Sequence, residues 1–97
     1  MKKVTLVVKP FKADAVVRAL LEAGAESLTV MEARGYGRQK GRLDLYHEER
    51  DRVTFLPKVR IECALRDETL QRAIRDASEA ARTGRIGDGK IFLEELT

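Results

Sequence analysis

The apolar positions of this chain switch between two periods, and each switch marks an element. The run Val4 to Val8, closed by Lys9-Pro10, is rich in β-branched residues and predicts a buried strand. From Phe11 to Ala23, Val16, Val17, Leu20 and Leu21 recur at helical spacing until Gly24 stops the pattern. Leu28-Thr29-Val30-Met31 opens a second strand that runs to about Arg34. Val53 to Leu65 reads as the third, with Val59, Ile61, Cys63 and Leu65 alternating onto one face. Asp67 suits the N-cap of a helix over Glu68 to Arg82, whose inner side carries Leu70, Ile74, Ala77 and Ala81. Lys90 to Leu96 supplies the last strand.

The predicted order is β-α-β-β-α-β. That is the α+β ferredoxin-like plan, an antiparallel sheet with both helices on one face. The chain of 97 residues holds one domain with one core, without repeats or linkers. One connection breaks the usual pattern. About Gly37 to Arg52 joins the second and third strands, where a hairpin loop typically takes roughly two to five residues. Long loops in compact domains are usually functional.

Composition narrows the field. Hydrophobic residues at 43% and charged residues at 36% describe a soluble globular protein. A net charge of +3, with acidic and basic residues interleaved, favours small anionic ligands or acidic protein partners over a nucleic-acid track. Two Tyr, three Phe and no Trp leave little aromatic surface for stacking bases, and the strands carry mostly Val, Leu, Ile and Ala, so nucleic acid is not expected as a partner. Cys63 stands alone, which rules out an internal disulfide and fits a reducing compartment. Met1 leads into the first strand without the layout of a signal peptide, and no apolar run reaches membrane-spanning length. A cytoplasmic protein without membrane insertion is expected.

Chemistry concentrates in Thr83-Gly84-Arg85-Ile86-Gly87-Asp88-Gly89-Lys90. Three glycines let backbone approach an anion, while Arg85 and Lys90 add positive charge, the makings of a phosphate cradle. Gly84, Gly89 and Lys90 fall into the register of G-x-x-x-x-G-K, but Ile91 occupies the place of the magnesium-binding hydroxyl and the segment follows a helix. A nucleotide-hydrolysing P-loop is therefore excluded. The plainer reading is that these glycines cap the helix. Gly35, Gly37 and Gly41 fail as a dinucleotide fingerprint on spacing and are otherwise a hinge. Cys63 reads as a core residue, with a redox role as the alternative. His47 reads as a solvated loop residue, the alternative being a metal contact shared with Glu48 and Asp51.

Several stretches together resemble the nitrogen-regulatory P-II signal-transduction family. They are Lys9-Pro10-Phe11-Lys12, Thr29-Val30, Gly35-Tyr36-Gly37-Arg38-Gln39-Lys40-Gly41, Leu45-Tyr46, Phe55-Leu56-Pro57-Lys58-Val59, and Ala81-Arg82-Thr83-Gly84 through Phe92. They cover nearly the whole chain. The resemblance implies one P-II-like domain over residues 1–97, with a T-loop at about 37–52 and a B-loop at about 82–90. It further implies a cytoplasmic homotrimer that binds ATP or ADP in clefts between subunits and works as a regulator, not an enzyme. By the family pattern Thr29 and Ala64 lie near the adenine. Gly35, Gly37, Arg38, Gly87, Asp88, Gly89 and Lys90 belong to the nucleotide site. Gln39 helps hold Mg2+ at the phosphates, and Gln39 and Lys58 serve 2-oxoglutarate. The residue types suit these tasks: Arg38 can fork onto phosphate oxygens, Lys90 is a mobile point charge and Gln39 offers a neutral oxygen. Through the T-loop residues Arg42, Tyr46, His47, Arg50, Asp51 and Arg52, the protein is expected to engage a target enzyme or membrane transporter.

Two departures modify those expectations. Asp51 stands where much of the family carries the uridylylated tyrosine, and Glu49 where some members carry a phosphorylated serine, so covalent control by those routes is not expected. The sequence stops at Thr97, where most members continue into an arginine-containing C-loop that closes on the phosphates. If the natural chain lacks those arginines, nucleotide binding is expected to weaken, to favour ADP or AMP, or to be lost; the alternative is that the natural chain runs on and supplies them. An alternative function follows, a P-II-like regulator of a bicarbonate or metal transporter or of a carbon-metabolism protein, responding to ADP, AMP or bicarbonate. A small phosphohydrolase is the third reading, for which the chain offers no activated nucleophile or paired carboxylate and histidine.

Overall fold

The computed structural model describes residues 1–36, 55–85 and 87–96. Strand β1 (Lys2–Val8) is followed by a single 3-10 turn (Pro10–Lys12), helix α1 (Ala13–Glu22) and strand β2 (Ser27–Gly35). Strand β3 (Leu56–Leu65), helix α2 (Asp67–Ala81) and strand β4 (Gly89–Glu95) complete the order. The four strands form one sheet in the order β2-β3-β1-β4, with every neighbouring pair antiparallel. The ferredoxin-like expectation holds. The predicted T-loop lies outside the described residues.

Alternation sorts the strands into two faces. Val4, Leu6 and Val8 of β1 and Ile61, Cys63 and Leu65 of β3 are buried, and they meet Ala13, Val16 and Leu20 of α1 and Ala73, Ala77 and Ala81 of α2. Leu6, Leu20 and Ile61 are among the largest fully buried side chains, each worth about 1.5–3 kcal/mol on leaving water. The alanines of α2 contribute only methyl groups to this core, and the larger side chains of the sheet and of α1 fill the rest.

Three local expectations are corrected. The first concerns Asp67, which is the first helical residue and not the cap. Arg66 holds the extended cap conformation and its carbonyl accepts from Thr69 N and Oγ1 at 3.0 and 3.1 Å. The Asp67 carboxylate instead pairs with the N-terminal ammonium of Met1 at 3.1 Å, a contact that pulls its pKa down. On the inner stripe of α2, Ala73 is fully buried where Ile74 was expected, and on α1 Leu21 is 53% exposed. Strand β3 begins at Leu56; Val53 and Thr54 lie outside the described residues. Helix α1 ends as the sequence suggests: Gly24 takes a φ of 103°, while Ala25 N and Gly24 N bond back to Leu20 O and Leu21 O at 3.0 and 3.1 Å. That pairing is the Schellman arrangement.

The strands are less uniformly aliphatic than the sequence reading supposed. Residues facing away from the helices include Lys3 and Thr5 of β1, Arg60 and Glu62 of β3, and Lys90 and Phe92 of β4. Glu62 sits 3.4 Å from Lys3 and 2.7 Å from Arg60, so this open face carries an ion network.

Candidate functional site

Helix α2 stops because Arg82 is extended, with φ −72° and ψ 131°. Gly84 lies two residues beyond that cap, so the glycines of the following segment do not serve as the helix C-cap. Their φ values are positive (81° at Gly84, 84° at Gly87, 153° at Gly89), and the segment folds around one carboxylate. Asp88 Oδ2 accepts from Thr83 N at 2.8 Å and Gly84 N at 2.9 Å. Its Oδ1 accepts from the Thr83 hydroxyl and pairs with Lys9 Nζ at 3.1 Å. Thr83 Oγ1 in turn accepts from Lys9 Nζ at 3.2 Å and from Arg85 N at 3.1 Å. Hydrogen bonds from the Thr83 side chain and backbone, then those of Lys9 and Gly84, hold the Asp88 carboxyl well below the usual carboxylate range.

Sheet register explains how Lys9 arrives. Val8 pairs with Gly89, so the end of β1 and the start of β4 run side by side. That pairing needs glycine: a Cβ on Gly89 would stand 2.6 Å from Val7 O. Lys58 comes from β3, with its aliphatic stem over Gly35, where a Cβ would meet Lys58 Cγ at 2.9 Å. Its ammonium donates to Gly87 O at 2.8 Å. Burial, then the ammonium of Lys9, push the Lys58 pKa below the ordinary lysine value; Asp88 opposes them and Lys90 adds to them. An open groove of about 640 Å³ runs past Lys58, lined also by Pro10, Glu32, Arg34 and Pro57.

Of the residues singled out in the sequence, the structure brings Lys58, Gly87, Asp88 and Gly89 together, with Gly35 under the Lys58 stem and Lys90 near enough to lower its pKa. Thr29 and Ala64 share the open face: Thr29 pairs with Glu62, and Ala64 with Ser27 and Lys3. They sit farther along, since Glu62 is four residues from Lys58, about 13 Å of strand. Gly37, Arg38, Gln39, Arg42, Tyr46, His47, Arg50, Asp51 and Arg52 lie outside the described residues. Lys9 and the Thr83 side chain are the members that sequence reasoning passed over. The available signal was the Thr83-x-x-x-x-Asp88 spacing, in which a hydroxyl and a carboxylate compete for the same loop amides.

The donors on hand fit a polyanion. Lys9, Asp88 and Lys90 all lie near enough to act on the charge of Lys58, which leaves more ammonium groups than carboxylates beside the glycine backbone. Such a locus attracts phosphate or carboxylate oxygens.

Comparison with known proteins places the chain in a family. The sequence profile of the family described as "Nitrogen regulatory protein P-II" matches residues 1–97. The nitrogen regulatory protein P-II of Mesorhizobium japonicum is 52% identical over 96 residues, covering 99% of this chain and 86% of that protein. Its counterpart in Azospirillum brasilense is 53% identical over 93 residues, covering 96% and 83%. Nitrogen regulatory protein GlnK of Escherichia coli K12 is 51% identical over 96 residues, covering 99% and 86%. With a family match across the whole sequence and about half its residues shared with these relatives, the chain belongs to the nitrogen regulatory protein P-II family.

Proposed function

We propose that the protein is a cytoplasmic, trimeric signal-transduction regulator that binds ATP or ADP in clefts between subunits. Mg2+ accompanies the nucleotide phosphates, 2-oxoglutarate is the second effector, and residues 37–52 carry the signal to an enzyme or transporter. The observation that carries this reading is the lysine cluster at the glycine loop, with Lys58 and Lys90 left facing Gly87 and the open face once Lys9 has paired with Asp88. Regulation is favoured over hydrolysis because the carboxylate of this loop is committed to four donors and is not free to activate water. The ionic open face, with Glu62 between Lys3 and Arg60, is the surface proposed for subunit packing. A sensor of this kind must let ATP and ADP favour different states of its signalling loop, since equal affinity for both states shifts nothing.

Calorimetry with ATP, ADP and AMP, with and without 2-oxoglutarate and Mg2+, tests the reading. Heat of binding for at least one nucleotide is expected, and Lys90→Ala should weaken it without any turnover to lose. No heat with any nucleotide at millimolar concentration would overturn the proposal.

A further inference from the structure

A carboxylate inside a phosphate cradle is an electrostatic contradiction, because like charges at close range repel. The geometry resolves it. Both Asp88 oxygens are occupied, Oδ2 by two consecutive backbone N–H groups and Oδ1 by a hydroxyl and an ammonium. A carboxylate offers about four acceptor sites, and the four donors fill them. We infer that Asp88, together with Lys9 and Thr83, is the positioning group of this loop: it holds the glycine backbone in its binding shape and does not touch the anion. The inference rests on the proposed nucleotide reading and assigns its lysines separate tasks. Lys9 neutralises the template, whereas Lys90 and Lys58 remain for the ligand.

The network spans the loop from end to end. It ties Thr83 and Gly84 at one end to Asp88 at the other, and Lys9 pins both to the end of β1. Between these ties Gly87 presents its carbonyl to Lys58, which links the loop to β3. A loop ordered before the ligand arrives loses less conformational entropy on binding, and affinity rises accordingly. Thr83 Oγ1 is the hub, since it donates to Asp88 while accepting from Lys9 and Arg85 N.

The test pairs amide hydrogen exchange at Thr83 and Gly84 with Mg-ATP calorimetry on the full chain. Asp88→Ala should abolish protection of both amides and weaken ATP binding by about tenfold or more. Thr83→Val should weaken it less, and Thr83→Ser should restore it, because the hydroxyl and not the methyl forms the hub. Lys90→Ala should weaken ATP binding while leaving both amides protected, which separates a ligand contact from a positioning role. Unchanged exchange in Asp88→Ala, or lost protection with unchanged ATP affinity, would overturn the inference. Wild-type protein that binds no nucleotide would sink the functional reading instead, and the exchange data would still decide whether Asp88 holds the loop.

Discussion

The two faces of the sheet are built from alternating residues of the same four strands, yet they follow opposite rules. Toward the helices, β1 and β3 present Val4, Leu6, Val8, Ile61, Cys63 and Leu65, all buried and all without charge. Away from them, the same strands present Lys3, Lys58, Arg60 and Glu62, linked by ion pairs or aimed at the glycine loop. Burial free energy accumulates on the first face, and charge on the second. Charged groups in partial contact with water contribute little to stability but discriminate strongly among partners. A period of two therefore separates an apolar, buried face of one sheet from a charged one.

Removing volume from the helix face should have the largest effect. Ile61→Ala is expected to cost about 2–5 kcal/mol, read as a lowered midpoint of urea unfolding, since the side chain is completely buried. A loss under about 1 kcal/mol would show that this face does not carry the stability. Next comes the boundary between sheet and loop. Gly89→Ala drives a Cβ to 2.6 Å from Val7 O at a φ of 153°, with an expected cost of about 1–3 kcal/mol. Gly84→Ala, with open space around its Cβ, should cost less, and equal thermal shifts for the two would contradict the close approach of β4 to β1.

On the open face the readout changes from stability to assembly. Glu62→Ala leaves Lys3 and Arg60 without their shared carboxylate, and unfolding of the subunit should shift by no more than about 1 kcal/mol. If the open face packs subunits as proposed, light scattering should show the variant falling below the mass of the proposed trimer, about three times 10.9 kDa; a trimeric wild type with an unchanged trimeric variant would remove Glu62 from the interface. The smallest effect belongs to Cys63. Burial pushes its thiol pKa up, so the folded state keeps a proton that the unfolded state releases. Its contribution to stability is full below the unfolded thiol pKa and is lost as pH rises through the folded value. Thiol reagents should label Cys63 at pH 8 only as fast as the chain opens, and rapid native-state labelling would contradict its burial.

Much of the fold was legible because burial imposes a period. Val16, Leu20, Ile61 and Leu65 announce their faces at helical or strand spacing, and each lands in the core. The inner stripe of α2 was harder to read. Alanines carry a weak hydrophobic signal, so Ile74 outweighs Ala73 in the pattern, although it is Ala73 that is fully buried. Asp67 was misassigned for a related reason: its residue type suits a cap, but the N-terminal ammonium, distant in sequence, competes for its carboxylate. The glycine loop and Lys90 stood out in the sequence as a charged, glycine-rich segment, and Lys58 entered through the family resemblance. The site was not legible in Lys9, whose partner lies across the sheet, nor in the inward turn of Asp88.

The sequence by itself determined the order of elements, the apolar faces of β1 and β3 and the family, because these depend on local period and on runs of adjacent residues. Only the tertiary structure decided which charges belong to one another. Ion pairs and loop hydrogen bonds depend on distances of a few ångströms between residues far apart in the chain, as between Lys9 and Asp88 or Lys58 and Gly87. Those distances are set by strand register and by the one approach that Gly89 permits.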